Sequence, residues 1–260
     1  MGWETNVCRV TSANSLIGLT AGTVKHLSLS TYYALASEKA ILLFLSFVSN
    51  HIINLIRNKN PDVIFFIEQW YPVFSLIEEH LNSKEQNSYV FCYPQGFNPS
   101  FFKDGTYPSY AGVVAAFKNS IFSSVSCKDG TLWIKEKSAK WLSLEIDGKK
   151  YLGVHYPQPG PEWNGFHTAV KSFAKTNNPF VIMGDFNTPK NCSIKIDGYK
   201  DVLRPEPTSA FNTKLDYIFV PSELFCKANA EIITDVMNQG NHNFFSDHSA
   251  TIVSFINLSF

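Results

Sequence analysis

The sequence has little charge and no surplus of either sign. Its 22 basic and 22 acidic side chains cancel, and charged residues make up 17% of the 260. A chain that grips a long polyanion through many phosphate contacts carries a basic excess. None exists here, which counts against tight duplex binding but leaves room for a local basic groove. Cysteine is sparse and scattered: Cys8, Cys92, Cys127, Cys192 and Cys226 are odd in number and form no CxxC pair. That weighs against a structural zinc site and against a disulfide framework, and thiols in a reducing compartment are expected. Met1-Gly2-Trp3-Glu4 offers no basic segment leading into an apolar one, so no signal peptide is read. Asn6 breaks the myristoylation pattern that Gly2 would open. A cytoplasmic protein, or one exported by a route that needs no signal peptide, is the expectation. No apolar run is long enough for a membrane span. The most apolar segment, Ala40–Ile56, is interrupted by Ser46, Ser49, Asn50, His51 and Asn54 and falls short of the roughly 20 residues required. Repeats, low-complexity tracts and linkers are missing too, so residues 1–260 read as one domain, expected to be a monomer.

What is abundant is apolar: 45% of residues are hydrophobic and 22 are Phe, enough for a large core. Val7–Val10 reads as a strand, followed by the polar turn Thr11-Ser12-Ala13-Asn14. The Ser-, Thr- and Gly-rich segment 15–36 carries no clear pattern. Ser37 is placed to cap a helix running to about Asn58, stopped by Asn60-Pro61. Val63–Ile67 is a continuous apolar run, the mark of a strand buried on both faces. A helix over Val73–Leu81 follows. Strands are predicted at Tyr89–Tyr93, Gly112–Phe117, Trp141–Ile146 and Tyr151–His155, the last two joined by the hairpin turn Asp147-Gly148. Then come a helix over Phe166–Lys175, a buried strand over Phe180–Met183, and two final strands, Leu215–Val220 and Ala250–Phe255. The mixed order predicts two sheets packed face to face with helices outside.

Several of these strands end in acids, amides or histidines: Glu68, His155, Asp185 with Asn187, Asp216, and Asp247-His248. Ionised groups beside buried strands are costly unless paired or bound to metal. Singly, Asp185 and Asn187 fit an Asx turn; as an ordered set the residues fit a metal–phosphate site. Phosphodiester hydrolysis needs an activated water, charge stabilisation on the phosphoryl oxygens and help for the leaving oxygen. Hard oxygen ligands such as Glu68 suit Mg²⁺ or Mn²⁺. His26, His51, His80, His167 and His242 show no partner pattern and read as surface or packing residues. The aromatic loop from Pro94 to Tyr110 reads as one packed by its own rings, with base stacking or lipid insertion as the other uses of such a loop.

The segments Asn60–Glu68, Gly153-Val154-His155, Met183-Gly184-Asp185-Phe186-Asn187, Lys214-Leu215-Asp216-Tyr217-Ile218 and Ser246-Asp247-His248 together resemble the endonuclease/exonuclease/phosphatase family, in the family's own order. The resemblance implies an α/β (α+β) fold: a DNase I-like four-layer α/β/β/α sandwich with two packed mixed β-sheets. By the same resemblance Glu68 is the metal-binding acid, Asp247 stands adjacent to the metal, and Asn14 corresponds to the Asn of the first strand. Asp185 corresponds to the acid that orients or deprotonates the attacking water, and Asn187 to a phosphate contact. His248 corresponds to the catalytic histidine with Asp216 as its carboxylate partner, and His155 to a second histidine near the phosphate or leaving group. The pattern departs in four places. Ala13 precedes Asn14 where the family usually has an aromatic residue, and the segment Ser15–Ala36 has no clear family counterpart. Ile67 stands where the family usually has Gln, and the stretch Met183-Gly184-Asp185-Phe186-Asn187-Thr188-Pro189 lacks both the Trp and the Arg expected of inositol polyphosphate 5-phosphatases. The expected activity is Mg²⁺- or Mn²⁺-dependent hydrolysis of a phosphoester, with nucleic acid as the first substrate class. A phosphoinositide, sphingomyelin or other small phosphoester is the second, and a catalytically silent binding relative the third.

Overall fold

The computed structural model describes residues 15–20, 38–82, 89–94, 109–119, 125–129, 140–190, 192–234 and 248–256. Its elements in chain order are β1 (Ser15–Thr20), α1 (Glu38–Lys59), β2 (Val63–Trp70), α2 (Tyr71–Asn82), β3 (Tyr89–Cys92), β4 (Ser109–Lys118) and β5 (Val125–Asp129). They continue with β6 (Trp141–Ile146), β7 (Lys149–His155), α3 (Pro161–Asn177), β8 (Val181–Asp185), β9 (Tyr199–Asp201) and β10 (Asp216–Pro221). A 3₁₀ helix (Ser222–Lys227), β11 (Ala228–Ile233) and β12 (Ala250–Phe255) complete the described chain.

The strands form two six-stranded sheets, ordered β11-β12-β1-β2-β4-β3 and β5-β6-β7-β8-β10-β9. Each has one parallel pair at its centre, β1 with β2 and β7 with β8; the other neighbours are antiparallel. A parallel pair needs a long crossover, and α1 and α3 occupy those two crossovers. Both helices end on an asparagine in the left-handed region, Asn60 (φ 48) and Asn178 (φ 44). The backbone N–H of each closes the last turn, onto Ile56 O (2.7 Å) and Ala174 O (3.0 Å). A proline follows each asparagine and cannot continue the helix.

Side-chain alternation along the strands builds three apolar layers. Ile64 and Phe66 point outward, against Ile53 and Ile56 of α1 and Phe74 and Ile77 of α2. Val63, Phe65 and Ile67 point inward and meet Val181, Met183 and Ile218 of the other sheet. On the far side Ile182 and Phe219 pack against Trp163, Phe166, Val170 and Ala174 of α3. Fully burying each of the larger side chains contributes about 2 kcal/mol. The result is the four-layer α/β/β/α sandwich, of the DNase I-like kind. Gly153 lies at a close approach of the two sheets: a Cβ there would stand 2.3 Å from the Phe65 ring.

Most predicted elements appear within a few residues of their expected bounds, and the Asp147-Gly148 turn has both residues at positive φ (47 and 77), as a tight hairpin requires. Four strands differ from the sequence reading. The segment Ser15–Thr20, patternless in sequence, is a central strand, its Ser, Gly and Thr residues having hidden it. Val125–Asp129 and Ala228–Ile233 are edge strands, where half-exposed residues weaken the apolar pattern. Tyr199–Asp201 is too short to leave one. Asp216–Pro221 and Ala250–Phe255 are therefore separated by a further strand. Val7–Val10, the 11–14 turn and residues 95–108 of the aromatic loop lie outside the described residues. No described helix is long and apolar enough to cross a membrane.

Candidate active site

The register of the second sheet puts His155 opposite Asp185 across the parallel β7–β8 pair. It also puts Asp185 opposite Asp216 across the antiparallel β8–β10 pair. Three ionisable residues thus stand abreast on neighbouring strands, spaced by the roughly 4.8 Å of the hydrogen-bond ladder. All three continue the inward-facing sets that contain Tyr151, Met183 and Ile218, so they crown the space between the sheets. Each is buried, with 5%, 1% and 1% exposure respectively.

Glu68 reaches the same rim from the first sheet by a backbone irregularity. Strict alternation after Ile64 and Phe66 would turn it outward to the helices. A β-bulge between Ile67 and Gln69 breaks the register, and Glu68 takes φ 55. Bulges re-aim side chains in this way, and a non-glycine residue held at positive φ is costly, which ties the distortion to the site. The Glu68 carboxylate lies 4.0 Å from His155 Nε2, and Asp185 Oδ2 lies 3.7 Å from the same nitrogen. His155 therefore stands between two acids.

His248 arrives from the first sheet's side, two residues before β12. Its Nδ1 donates to Asp216 Oδ2 at 2.8 Å, since an ionised carboxylate can only accept. One donor atom each from Asp185, Asp216 and His248 fall within 4.8 Å of one another.

The Gly-Asp-Phe-Asn segment is held by its middle. Phe186 is fully buried, stacked on Tyr156 at 4.6 Å between centroids, and its carbonyl accepts from Trp163 Nε1 at 2.8 Å. Asn187 then folds back at φ 41. Its N–H donates to Asp185 Oδ1 (2.7 Å), and its Nδ2 donates to Asp185 Oδ2 (3.0 Å) and Tyr156 O (2.9 Å). Gln158 Nε2 donates to Asn187 Oδ1 at 3.0 Å, which fixes the amide orientation. Both amide hydrogens of Asn187 are thus engaged within the chain, and its effect is to aim Asp185. Gly184 permits the arrangement: it sits at φ 141, and a Cβ would come within 2.0 Å of Val154 O.

Burial pushes the Asp185 carboxyl up to about 7; His248 opposes this, while Asp216 and Glu68 add to it. Among the described residues no Lys or Arg forms an ion pair with Asp185. A site where carboxylates crowd a buried carboxylate is one that a divalent cation stabilises. The oxygen-rich donor set, with two imidazoles and no thiol, fits Mg²⁺ or Mn²⁺.

Of the residues singled out in sequence, Glu68, His155, Asp185, Asn187, Asp216 and His248 are gathered at one rim. Asn14 and Asp247 lie outside the described residues. Gln158 and Thr208, which hold Asn187 and Asp216, carry no sequence signal: each is an uncharged residue in a loop, 29 and 8 positions respectively from the group it supports. His167 stacks on Trp163 at 5.0 Å between centroids and its Nδ1 shares a 3.1 Å hydrogen bond with the Tyr156 hydroxyl, in keeping with the packing role expected of it.

Structural neighbours share this fold. Zebrafish (D. rerio) TDP2 complexed with a single-strand DNA product matches with TM-score 0.63 and 14% identity, covering 95% of this chain and 100% of that one. The 3′ phosphatase NExo from Neisseria, bound to a product DNA hairpin, matches with TM-score 0.58 and 12% identity, covering 94% and 100%. The human Nocturnin catalytic domain with bound sulfate matches with TM-score 0.58 and 13% identity, covering 94% of each. Among curated protein sequences nothing matches significantly. The profile described as Endonuclease/Exonuclease/phosphatase family matches residues 44–248, from within α1 to His248 itself. On that match, which takes in every described member of the rim, the chain belongs to the endonuclease/exonuclease/phosphatase family.

Proposed function

We propose that the protein is a divalent-metal-dependent phosphoric ester hydrolase acting on a phosphodiester of nucleic acid, as a nuclease. The observation that carries this is the buried row His155–Asp185–Asp216, completed by His248 on Asp216 and faced by Glu68. Glu68 would hold the cation, with Asp247 and Asn14 as further ligands by family resemblance. A bound Mg²⁺ or Mn²⁺ would supply Lewis-acid stabilisation of the phosphoryl oxygens.

The chain's own residues divide the remaining work. Asp185, aimed by Asn187 and raised toward neutrality by burial, orients the attacking water and accepts its proton. His248, locked to Asp216, works with it on the same water and on the phosphoryl oxygen. His155, flanked by the carboxylates of Glu68 and Asp185, serves the leaving oxygen. Water attacks phosphorus, the P–O ester bond breaks, and the leaving oxygen takes up a proton. Support for nucleic acid comes from the neighbours solved with DNA products.

The experiment is a hydrolysis screen with plasmid, single-stranded DNA, RNA, phosphoinositides, sphingomyelin and a generic phosphodiester, in Mg²⁺, Mn²⁺ or EDTA. Turnover of nucleic acid that EDTA and Asp185→Ala abolish is the expected result. Turnover confined to a lipid or small phosphoester would replace the substrate class. Silence on every substrate by a folded protein would overturn the reading.

A further inference from the structure

We infer that Thr208 is a positioning residue that holds the Asp216–His248 pair together across the two sheets; the inference deepens the proposed hydrolytic reading and rests on it. The pair straddles a seam. Asp216 opens β10 of the second sheet, whereas His248 lies just before β12 of the first. Nothing in the ladder of either sheet fixes the distance between them. Thr208 does, because its two oxygen atoms reach to opposite sides. Its Oγ1 accepts from Asp216 N (2.9 Å) and from Leu215 N (3.0 Å). Its carbonyl accepts from Ser249 N at 2.7 Å, and the next residue, Ser209, forms a β-bridge with His248.

The pin is itself rigid and dry. Thr208 has 0% exposure, Ser209 2% and Ser249 0%. The N–H groups of Thr208 and Ser209 both donate to Thr213 O, at 3.0 and 3.1 Å. The Ser209 and Thr213 hydroxyls share a hydrogen bond of 2.7 Å, closing the turn between them. A buried amide that loses its acceptor bears its desolvation cost in full. Removing the Thr208 hydroxyl would orphan two amides together, one of them belonging to Asp216. The start of β10 would shift to find other partners, carrying the Asp216 carboxylate away from His248 Nδ1.

Two variants test this. Thr208→Val keeps the shape and removes the hydroxyl; Thr208→Ser keeps the hydroxyl. Kinetics are read on the substrate found in the screen, and the ¹H–¹⁵N spectrum of the histidine rings is read on the same samples. Thr208→Val is expected to lower kcat roughly 10- to 100-fold with KM unchanged, the range for residues that orient a site group. It should also lose the low-field Nδ1–H resonance of His248, identified by its absence in His248→Gln. Thr208→Ser should keep both. A folded Thr208→Val with wild-type kcat and an intact resonance overturns the inference. So does a Thr208→Ser variant that loses either one, which keeps the test decisive should the valine variant not fold. The resonance is independent of turnover. Its loss in Thr208→Val alone supports the positioning role even if the wild type proves inactive and the hydrolytic reading fails.

Discussion

The two sheets are built to one plan. Each has six strands with a parallel pair at the centre, and a crossover helix joins that pair. Each helix ends on an Asn-Pro step into a buried central strand, β2 or β8, and each of these strands brings an acid to the same rim. Yet the acids arrive differently. Asp185 ends β8 in register, abreast of His155 and Asp216. Glu68 reaches the rim only through a bulge and a left-handed backbone. The second sheet therefore presents a fixed row of ionisable groups. Among the described residues the first contributes one carboxylate, Glu68, re-aimed by local distortion. A repeated scaffold with no repeated sequence thus brings acids to one rim in two different ways, and the difference lies in one residue of backbone register.

The largest effect expected from breaking this division is at Asp185. Asp185→Asn should lower hydrolysis roughly 100- to 10,000-fold, the range for a general acid–base group, measured at saturating Mg²⁺. Glu68→Gln should behave as a first-sheet lesion: a Mg²⁺ titration should require a roughly 10- to 100-fold higher concentration, with activity recovered in excess metal. A Glu68→Gln loss that metal cannot restore would make Glu68 part of the second sheet's proton chemistry instead.

Stability separates the sheets less strongly. Gly184→Ala places a Cβ against Val154 O at positive φ and should cost roughly 2–4 kcal/mol in chemical denaturation. Asp185 should also make the metal-free protein pH-sensitive. Its carboxyl is raised from 3.8 to about 7, so in that window the native state holds a proton the unfolded chain has released. Stability then falls as pH rises from about 4 to about 7, and the cost is complete above it. Thermal unfolding in EDTA should show this slope, Asp185→Asn should lack it, and Mg²⁺ should raise Tm more at pH 8 than at pH 5. The smallest effect sharpens the likeness rather than the difference. Asn60→Ala and Asn178→Ala should each cost about 1 kcal/mol for an alanine in the left-handed region, equally in the two sheets.

The site was legible in sequence to the extent that its groups sit at the ends of apolar strands. Buried strands leave continuous apolar runs, and a charge that stops such a run stands out; Asp185, Asp216 and Glu68 were found that way. The helix stops Asn60-Pro61 and the Asp147-Gly148 turn were readable because their backbone needs select residue types. Two kinds of feature were not. Edge strands, and β1 with its Ser, Gly and Thr residues, carry too few apolar residues to show a period. Residues that act through backbone amides, such as Thr208, carry no charge and follow no spacing rule, because the distances they set exist only once the two sheets have met. Nor could the sequence foretell that Asn187 would spend its amide hydrogens on Asp185 and Tyr156.

The pairing of β1 with β12 has a consequence in time. The first described strand waits, with one edge unpaired, until residues 250–255 have been synthesised, on the order of 10–50 s later at ribosomal speed. His248, joined to that last strand, comes into place in the same event. The nascent chain therefore carries its row of acids on the second sheet before it carries the histidine that completes them, roughly 2–6 s behind Asp216 at that speed, and hydrolytic competence should switch on in a single late step rather than grow as the chain lengthens.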